Sequence, residues 1–224
     1  IEIKYSIQTN LLAYNQSWKS ILKNVFAWNV SSSYDFYSSF RQTKDGSDYF
    51  SVWYDKVKQY QDDSGRRLYT ICVLSRENIN YIKEIIDDAY SYGLDIKLNY
   101  MYPAGKAVNM DSSIYITPEE YGDAIIKAYN AWVKYSSKSF LYVQGKIFED
   151  SVKNGRTVGC PFSSKCLGKV FSIMPNGDLY NCAMCADMSL QCFGNVVTND
   201  INYSNIASMK IAEIVPEECI VCGI

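Results

Sequence analysis

The 224 residues are 48% hydrophobic and 21% charged, an ordinary composition for a globular chain with a buried core, and long enough for one large domain or two small ones. The formal net charge of −2 indicates neither a nucleic-acid-binding surface nor a basic membrane-binding face. No apolar run approaches the roughly 18 residues that a membrane span needs, so we expect neither nucleic acid nor a membrane as partner. Histidine is absent, which excludes histidine-dependent triads, general bases and metal sites.

The first 150 residues alternate strand and helix patterns. Short apolar runs predict strands, and apolar residues at helical spacing with polar caps predict helices. Strands are predicted at 1–8, 25–30, 67–74 and 94–100, and helices at 15–24, 48–62, 78–92 and 117 to about 135. Residues 31–47 are polar and are predicted to form a long loop. A capping box opens the last helix, with Thr117 followed by Pro118 and Glu120.

Four strand–helix units imply parallel strands with right-handed crossovers, in a barrel or a doubly wound sheet. Four units cannot close an eight-stranded barrel. A strand beginning at residue 1 would be an uncovered apolar edge, so we expect the chain to be a fragment or its N-terminal part to be missing. The carboxyl ends of parallel strands, here 9–10, 33–35, 74–75 and 100–105, are where ligands bind, although turns have a similar polar composition.

The last third changes character, with a domain boundary predicted near 150–158, giving domains 1–150 and 151–224. Residues 139–155 are interpreted as a connector. Two apolar runs, 169–174 and 178–183, flank Pro175-Asn176-Gly177, and Asn-Gly between such runs is a strong hairpin signal. A short helix is predicted at 206–215.

The eight cysteines are placed unevenly, because Cys72 stands alone in the first 159 residues. Thiolates at the two roots of a hairpin converge, and a pair separated by two residues can complete a four-sulfur site. We interpret Cys72 as a core residue, and Cys185 and Cys192 as small residues packed around the site. The candidate ligands are Cys166 and Cys182 at the hairpin, Cys219 and Cys222 in the tail, and Cys160 as an alternative.

Three interpretations of the clustered thiols are open. A disulfide framework is disfavoured by the size of the chain and by the confinement of the cysteines to one end. Four thiolates alone do not separate zinc from an iron–sulfur cluster. A ligand pair split by a hairpin and following an α/β region favours iron–sulfur. A non-catalytic module with structural zinc is the alternative.

The cysteine-rich region contains the spacing Cys-x10-Gly-x4-Cys at 166–182, the text SIMPNGDLYNC that ends at Cys182, the later Cys219-x-x-Cys222, and Gly194-Asn195. In these features it resembles the SPASM/twitch domain of radical S-adenosylmethionine (radical SAM) enzymes. The α/β region also resembles that family at its strand ends. The matching segments are Ser6–Asn10 (SIQTN, with Leu11 where the family usually has Gly), Ser33-Tyr34-Asp35, Arg41, Val73–Asn78 (VLSREN) and Tyr102–Gly105 (YPAG).

The resemblance implies a partial (βα)6 TIM-like barrel, with about four βα units present, followed by a domain that holds one auxiliary 4Fe–4S cluster (twitch) or two (SPASM). Such enzymes cleave S-adenosylmethionine (AdoMet) and use the 5′-deoxyadenosyl radical to modify a peptide, a protein side chain or a small metabolite. By position, Gln8, Asn10, Ser33 and Arg41 would line the AdoMet pocket. In the twitch manner Cys166, Cys182, Cys219 and Cys222 would hold one cluster; in the SPASM manner Cys160, Cys166 and Cys182 would serve the first and the tail pair would begin a second.

Two departures from the family bear on activity. The Cys-x3-Cys-x2-Cys motif of the radical-generating cluster is absent from these residues and would precede residue 1, so we expect the chain alone to be inactive. Sulfatase-maturating members carry an Asp directly after the hairpin cysteine, and Ala183 stands there instead, which disfavours that activity. The resemblance also implies a reductant such as flavodoxin or ferredoxin and a cytoplasmic location.

Overall fold

The computed structural model describes residues 3–101, 107, 109–135, 139–155, 170–181 and 192–208. The chain divides into two compact units, Ile1–Glu149 and Asp150–Ile224. A parallel sheet organises the first unit and an antiparallel sheet the second. Among the described residues, no helix has the length and apolar character that crossing a membrane requires.

Among the described residues of the first unit, four parallel strands lie in the order β1-β2-β3-β4, and each is followed by a helix. This mixed α/β arrangement is consistent with a partial TIM-like fold. The elements are β1 Ile7–Gln8, α1 Gln16–Asn24, β2 Val30–Ser33, α2 Tyr49–Ser64, β3 Leu68–Leu74, α3 Ile82–Ser91, β4 Leu94–Tyr100, α4 Pro118–Trp132 and α5 Val143–Asn154, the last of which crosses into the second unit.

Local sequence signals set several helix ends close to the predicted positions, although α2 extends to Ser64 rather than 62, and a 3-10 turn at Ile79–Tyr81 precedes α3, which begins at Ile82 rather than 78. Asn15 accepts a hydrogen bond from the backbone of Ser17 at the start of α1, and Asp48 does the same for α2. Gly65 ends α2 in the left-handed conformation, with a φ of 67°. The predicted capping box of α4 is present in both directions between Thr117 and Glu120.

The two faces of the parallel sheet differ in what covers them. On one face, every second residue of β3 and β4 is fully buried against the helices: Leu68, Thr70, Cys72, Leu74, Leu94, Ile96 and Leu98. On the same face, Trp53 of α2 donates a 3.0 Å hydrogen bond to Ser32. Residues of the opposite face are only partly buried, and those of β3 do not belong to the hydrophobic core of the unit. We call this second face the open face. It comprises Gln8, Ser31, Ser33, Tyr69, Ile71, Val73, Asp95, Lys97 and Asn99.

Two predicted strands were wrong in their bounds. Residues 25–28 are a turn after α1, in which Ala27 and Trp28 have φ values of 48° and 61°, and β2 begins only at Val30 and extends into the predicted loop. The apolar run was misleading because Phe26 and Trp28 pack against the core from a turn rather than from a strand. In the described part of the 1–8 segment only Ile7–Gln8 is a strand, since β2 offers it partners only from Val30 onward.

The segment predicted as a connector, 139–155, is structured. Tyr142 forms an isolated parallel bridge with Ile96, which extends the sheet beyond β4, and α5 follows at once. Gln144 continues this contact, because its amide oxygen accepts a 3.2 Å hydrogen bond from the backbone N–H of Leu98. The bridge was missed because a single bridging residue carries no detectable period.

The described part of the second unit contains four antiparallel strands, β5 Ser172–Ile173, β6 Asp178–Tyr180, β7 Cys192–Asn195 and β8 Asp200–Ile201, followed by α6 Tyr203–Ser208. The predicted hairpin joins β5 to β6, with Gly177 at a φ of 93° in its turn. Helix α6 begins three residues before the predicted helix at 206–215, most of which lies outside the described residues.

Candidate active site

The carboxyl ends of β1 and β2 bring two predicted AdoMet-binding residues into contact. Gln8 donates a 2.9 Å hydrogen bond from Nε2 to Oγ of Ser33. Gln8 is exposed and Ser33 is partly buried, so both retain polar surface on the open face. The parallel pairing of β1 with β2 explains the contact, because it places the last residue of each strand at the same edge of the sheet.

The loop after β1 is held in an uncommon conformation. Leu11 has a φ of 61° although it is not glycine, and its side chain is buried, with 2% exposure. Its backbone N–H donates to Oγ1 of Thr9 at 3.2 Å, while Oδ1 of Asn10 accepts from the N–H of Leu12 at 3.2 Å. The left-handed conformation explains why glycine would suit position 11. It also turns the chain sharply, so that the exposed Asn10 stays at the sheet edge.

Arg41, the fourth predicted AdoMet-binding residue, is paired with a carboxylate beside the site. Its Nε donates to Oδ2 of Asp35 at 2.8 Å, and its guanidinium lies 5.8 Å from the ring centre of Tyr49. Burial is the largest single influence and lowers the pKa of Arg41, but the charge of Asp35 and the hydrogen bonds to Tyr49 and Asp35 together outweigh it, so the pKa of Arg41 is raised. Asp35 is itself buried, and its other oxygen accepts the backbone N–H of Val73 at 2.9 Å. One carboxylate thus ties the segment after β2 to strand β3.

The residue between Ser33 and Asp35 is anchored in the core. Tyr34 stacks on Trp53 at 4.7 Å between ring centres, with an interplanar angle of 13°. Burial, followed by the charge of Asp48, raises the pKa of Tyr34 to about 12, so its hydroxyl stays neutral. Because neighbouring residues in extended backbone point to opposite sides, the anchored Tyr34 keeps Ser33 on the open face.

A second group of buried side-chain hydrogen bonds lies at the end of β3, inside the VLSREN segment. Asn78 is fully buried; its Oδ1 accepts from the N–H of Ser75 at 2.9 Å, and its Nδ2 donates to the carbonyls of Phe36 at 2.9 Å and Val73 at 3.0 Å. Asn78 therefore holds the ends of β2 and β3 together. Sequence reasoning noted the motif but did not predict this role, nor that of Asp35; a polar residue at a strand end was the only signal.

All five predicted cluster ligands, Cys160, Cys166, Cys182, Cys219 and Cys222, lie outside the described residues, as does Cys185. Cys72 is fully buried in β3, as predicted for a core residue, and burial raises the pKa of its thiol far above its usual value. Cys192 is partly buried in β7. Within the described part of the chain, no group of three or more Cys, Asp or Glu side chains is placed to hold a metal ion.

A groove in the described first unit lies away from this edge. It has a volume of about 680 Å³ and is lined at the amino ends of β3 and β4 by residues that include Arg67, Asp95 and Phe140. Arg67 is already occupied there: its Nη2 donates to the carbonyl of Leu94 at 2.7 Å, and its Nε donates to Asp95 at 3.2 Å. The carboxyl edge, not this groove, carries the predicted ligand-binding residues.

Comparison with protein-family models gives no match, and comparison with curated proteins gives none either. Solved structures do match. The structure of anSMEcpe with bound AdoMet matches with a TM-score of 0.73 and 14% identity over 99% of this chain and 60% of that one. A second anSMEcpe structure, with bound AdoMet and the Cp18Cys peptide, matches with a TM-score of 0.73 and 16% identity over 99% of this chain and 64% of that one. Streptococcus suis SuiB bound to S-adenosylmethionine matches with a TM-score of 0.64 and 15% identity over 99% of this chain and 53% of that one.

These neighbours, an anaerobic sulfatase-maturating enzyme and SuiB, are both radical SAM enzymes with SPASM domains. The resemblance seen in the sequence is therefore confirmed at the level of the fold, across nearly the whole chain. This chain spans between 53% and 64% of the length of these three structures.

Proposed function

We propose that this chain carries the AdoMet-facing sheet edge and the auxiliary-cluster domain of a radical SAM enzyme that modifies a peptide. The observation that carries the proposal is the contact of Gln8 with Ser33 at the carboxyl edge of a parallel sheet, in a fold shared with AdoMet-bound enzymes. In the whole enzyme, AdoMet held at this edge would supply a 5′-deoxyadenosyl radical after one-electron reduction by a cluster that these residues do not provide, and that radical would take a hydrogen atom from the substrate. A partial (βα)6 barrel is the form of the fold that we propose for the first unit.

The residues at this edge fit a ligand rich in polar groups. Gln8 and Ser33 each have one hydrogen-bonding group committed to the other and further groups available to AdoMet, and the exposed Asn10 offers an amide beside them. We propose that these three contact AdoMet. Arg41 serves the same pocket through its pair with Asp35, which fixes the backbone that follows Ser33.

We propose that the second unit holds the auxiliary 4Fe–4S cluster. The hairpin from β5 to β6 supports the placement, since Cys182 follows two residues after β6, and Cys166, Cys219 and Cys222 complete a four-thiolate set. In the SPASM arrangement with two clusters, Cys160 would be a ligand of the first cluster. When bound, the cluster supplies an electron acceptor or a group that positions the substrate.

Generation of the radical needs cysteines that these 224 residues do not provide. No Cys-x3-Cys-x2-Cys occurs in the sequence, so we propose that the chain by itself binds AdoMet without cleaving it. A flavodoxin- or ferredoxin-like reductant and a reducing cytoplasm belong to the same proposal.

A peptide is the substrate class that the neighbours favour, because anSMEcpe was solved with the Kp18Cys and Cp18Cys peptides. Sulfatase maturation itself is not proposed, since Ala183 stands where that activity requires Asp. A small metabolite remains the second candidate substrate. A structural zinc module is not favoured, because the likeness extends over the whole chain rather than the cysteine region alone.

Two paired variants test the cluster assignment. Cys182→Ala should abolish the iron, sulfide and absorption near 400 nm of anaerobically reconstituted protein, whereas Cys72→Ala should retain them because Cys72 is buried in the first unit. Equal loss of iron in both variants, or stoichiometric zinc in a colourless protein from iron-supplied cells, would contradict the assignment.

Calorimetric titration with AdoMet tests the sheet edge. Gln8→Ala and Ser33→Ala should each weaken AdoMet binding by about tenfold, the value of one or two hydrogen bonds. Gln16→Ala, an exposed residue at the start of α1, is the matched control and should bind as the unaltered chain does. If the unaltered chain does not bind AdoMet, the proposed function is wrong.

A further inference from the structure

A half-buried lysine on the open face has no role in the site described above. Lys97 lies in the middle of β4, where the residues on either side of it, Ile96 and Leu98, are fully buried against the helices. Strand alternation therefore places Lys97 on the open face. Lysine is rarely removed from water without a counter-charge, because desolvating the ammonium costs free energy.

The described residues do not supply that counter-charge. No carboxylate of the described chain lies within 4 Å of the Lys97 ammonium. Asp95, two residues away on the same face, is already bound, since its Oδ1 accepts from Nε of Arg67 at 3.2 Å and from the backbone N–H of Leu141 at 2.9 Å. The Lys97 ammonium thus has no carboxylate partner among the described residues.

The composition of the open face agrees with a ligand rather than a packed interior. Closed barrels fill this side of the sheet with bulky branched residues in layers. Here β2 contributes Ser31 and Ser33, and β4 contributes Lys97 and Asn99, so polar groups flank a single apolar strand. Such a surface would be costly to bury against protein but is suited to a polar molecule lying across it.

The strand register places this lysine at the level of the proposed AdoMet pocket. Ser33 pairs with Ile71, and Ile71 pairs with Lys97, so the three residues form one row across β2, β3 and β4. Two strand spacings of about 4.8 Å separate the backbones of Ser33 and Lys97 by about 10 Å. A molecule that contacts Lys97 therefore lies beside a ligand held at Ser33, with Ile71 as the apolar surface between them.

We propose that the open face of β4 is the wall against which the peptide substrate lies, with the Lys97 ammonium binding a carboxylate of that peptide and Asn99 hydrogen-bonding its backbone. This assignment rests on the proposed function, from which it takes the peptide and the position of AdoMet. It makes Lys97 a specificity-determining residue that selects for Asp, Glu or a free carboxyl terminus.

Peptide selection tests the assignment. Anaerobically reconstituted chain with saturating AdoMet is presented with a displayed library of random heptapeptides. The unaltered chain should enrich Asp or Glu at one position about tenfold, as a charge-assisted hydrogen bond allows. Lys97→Met should lose this enrichment, and Lys97→Glu should favour Lys or Arg. Lys127→Glu, on the exposed face of α4, is the control and should select as the unaltered chain does.

A second variant leaves the lysine in place. Asn99→Asp adds a negative charge two residues along the same face, which should reduce the acidic enrichment about tenfold while the thermal unfolding of the chain is unchanged. Equal selection by the unaltered chain and Lys97→Met, or selection without acidic preference, would overturn the proposal.

AdoMet also carries a carboxylate, and calorimetry separates the two sources. Lys97→Met should bind AdoMet with unchanged affinity; a tenfold loss would assign the lysine to AdoMet and overturn the peptide contact. AdoMet binding without acidic selection would refute the lysine contact and leave the proposed function standing. Acidic selection through Lys97 in a chain that does not bind AdoMet would support the contact and contradict the proposed function.

Discussion

The carboxylate of Asp35 offers the sharpest test of how the candidate site is held together. Asp35→Ala would leave the backbone N–H of Val73 without its acceptor and Arg41 without its counter-charge. An unsatisfied buried N–H costs about 1–3 kcal/mol. Breaking a fully buried ion pair costs about 3–5 kcal/mol, but here the Arg41 side chain keeps 23% of its exposure, so its share is smaller. We expect Asp35→Ala to lower the free energy of unfolding by about 3 kcal/mol.

Asp35→Asn separates the two contributions. Its amide oxygen can still accept from Val73, but its NH2 group then faces the Nε donor of Arg41, so the charge attraction and the hydrogen bond to Arg41 are both lost. The expected cost is about 1–2 kcal/mol. Urea unfolding followed by circular dichroism measures each variant. A double-mutant cycle of Asp35→Ala with Arg41→Met should give a coupling energy of about 1 kcal/mol or more.

An exposed ion pair serves as the control for that cycle. Asp55 and Lys58 lie 2.7 Å apart on α2 with side chains that are 72% and 53% exposed, so their coupling should stay within a few tenths of a kcal/mol. Additive effects of the Asp35 and Arg41 substitutions, no larger in coupling than this surface pair, would refute the role of Asp35 as the residue that joins the segment after β2 to β3.

Three further predictions concern strain and charge elsewhere in the chain. At position 11 glycine should be more stabilising than alanine, the reverse of their usual ranking in regular structure. Urea unfolding should give Leu11→Gly a free energy of unfolding about 1 kcal/mol above that of Leu11→Ala, because only glycine adopts the left-handed conformation freely. The opposite ranking would contradict the φ of 61°. Gly194→Ala should disrupt the antiparallel sheet, because a Cβ there would lie 1.8 Å from the carbonyl oxygen of Asp200, and hydrogen exchange should show lost amide protection in the second unit. Gly46 also has a positive φ but lies in open space, so Gly46→Ala should lower the free energy of unfolding by only about 1 kcal/mol. Hydrogen bonds from Lys19 and Tyr14 hold the pKa of Asp63 below its usual range, so its contribution to stability is complete above about pH 4 and is lost as the pH falls through the lowered pKa. The free energy of unfolding of Asp63→Asn should therefore differ most from that of the unaltered chain at neutral pH. A difference that grows in acid would refute this.

Much of the first unit was predictable because its signals are local. A polar cap such as Asp48 and a left-handed glycine such as Gly65 define helix ends from the backbone hydrogen bonds of a single turn. The strand at 94–100 was predicted at its observed bounds, since alternating burial acts on each residue separately. The common edge at which Gln8 contacts Ser33 followed from one further rule, that parallel strands end at the same edge of a sheet, whereas the choice of these two residues came from the family resemblance.

Other features depended on contacts between distant segments. The run at 25–28 has the composition of a strand but forms a turn, because the position of β2 is decided by pairing with β1 and β3, not by local apolar content. Asp35 and Asn78 look like ordinary strand-end residues until the fold places Val73 beside both. The sequence pattern does not predict these hydrogen bonds, because the one from Val73 to Asp35 joins residues that are far apart in the chain and the one from Asn78 to Val73 lies within a single turn.

The amino-acid sequence by itself determined the strand–helix alternation, the hairpin with Gly177, and the thiol-rich character of the C-terminal region, because these follow from residue type and spacing along the chain. Only the tertiary structure decided which face of the sheet is left open. With it came the row that joins Ser33 to Lys97, because strand register depends on hydrogen bonds between segments that the sequence separates.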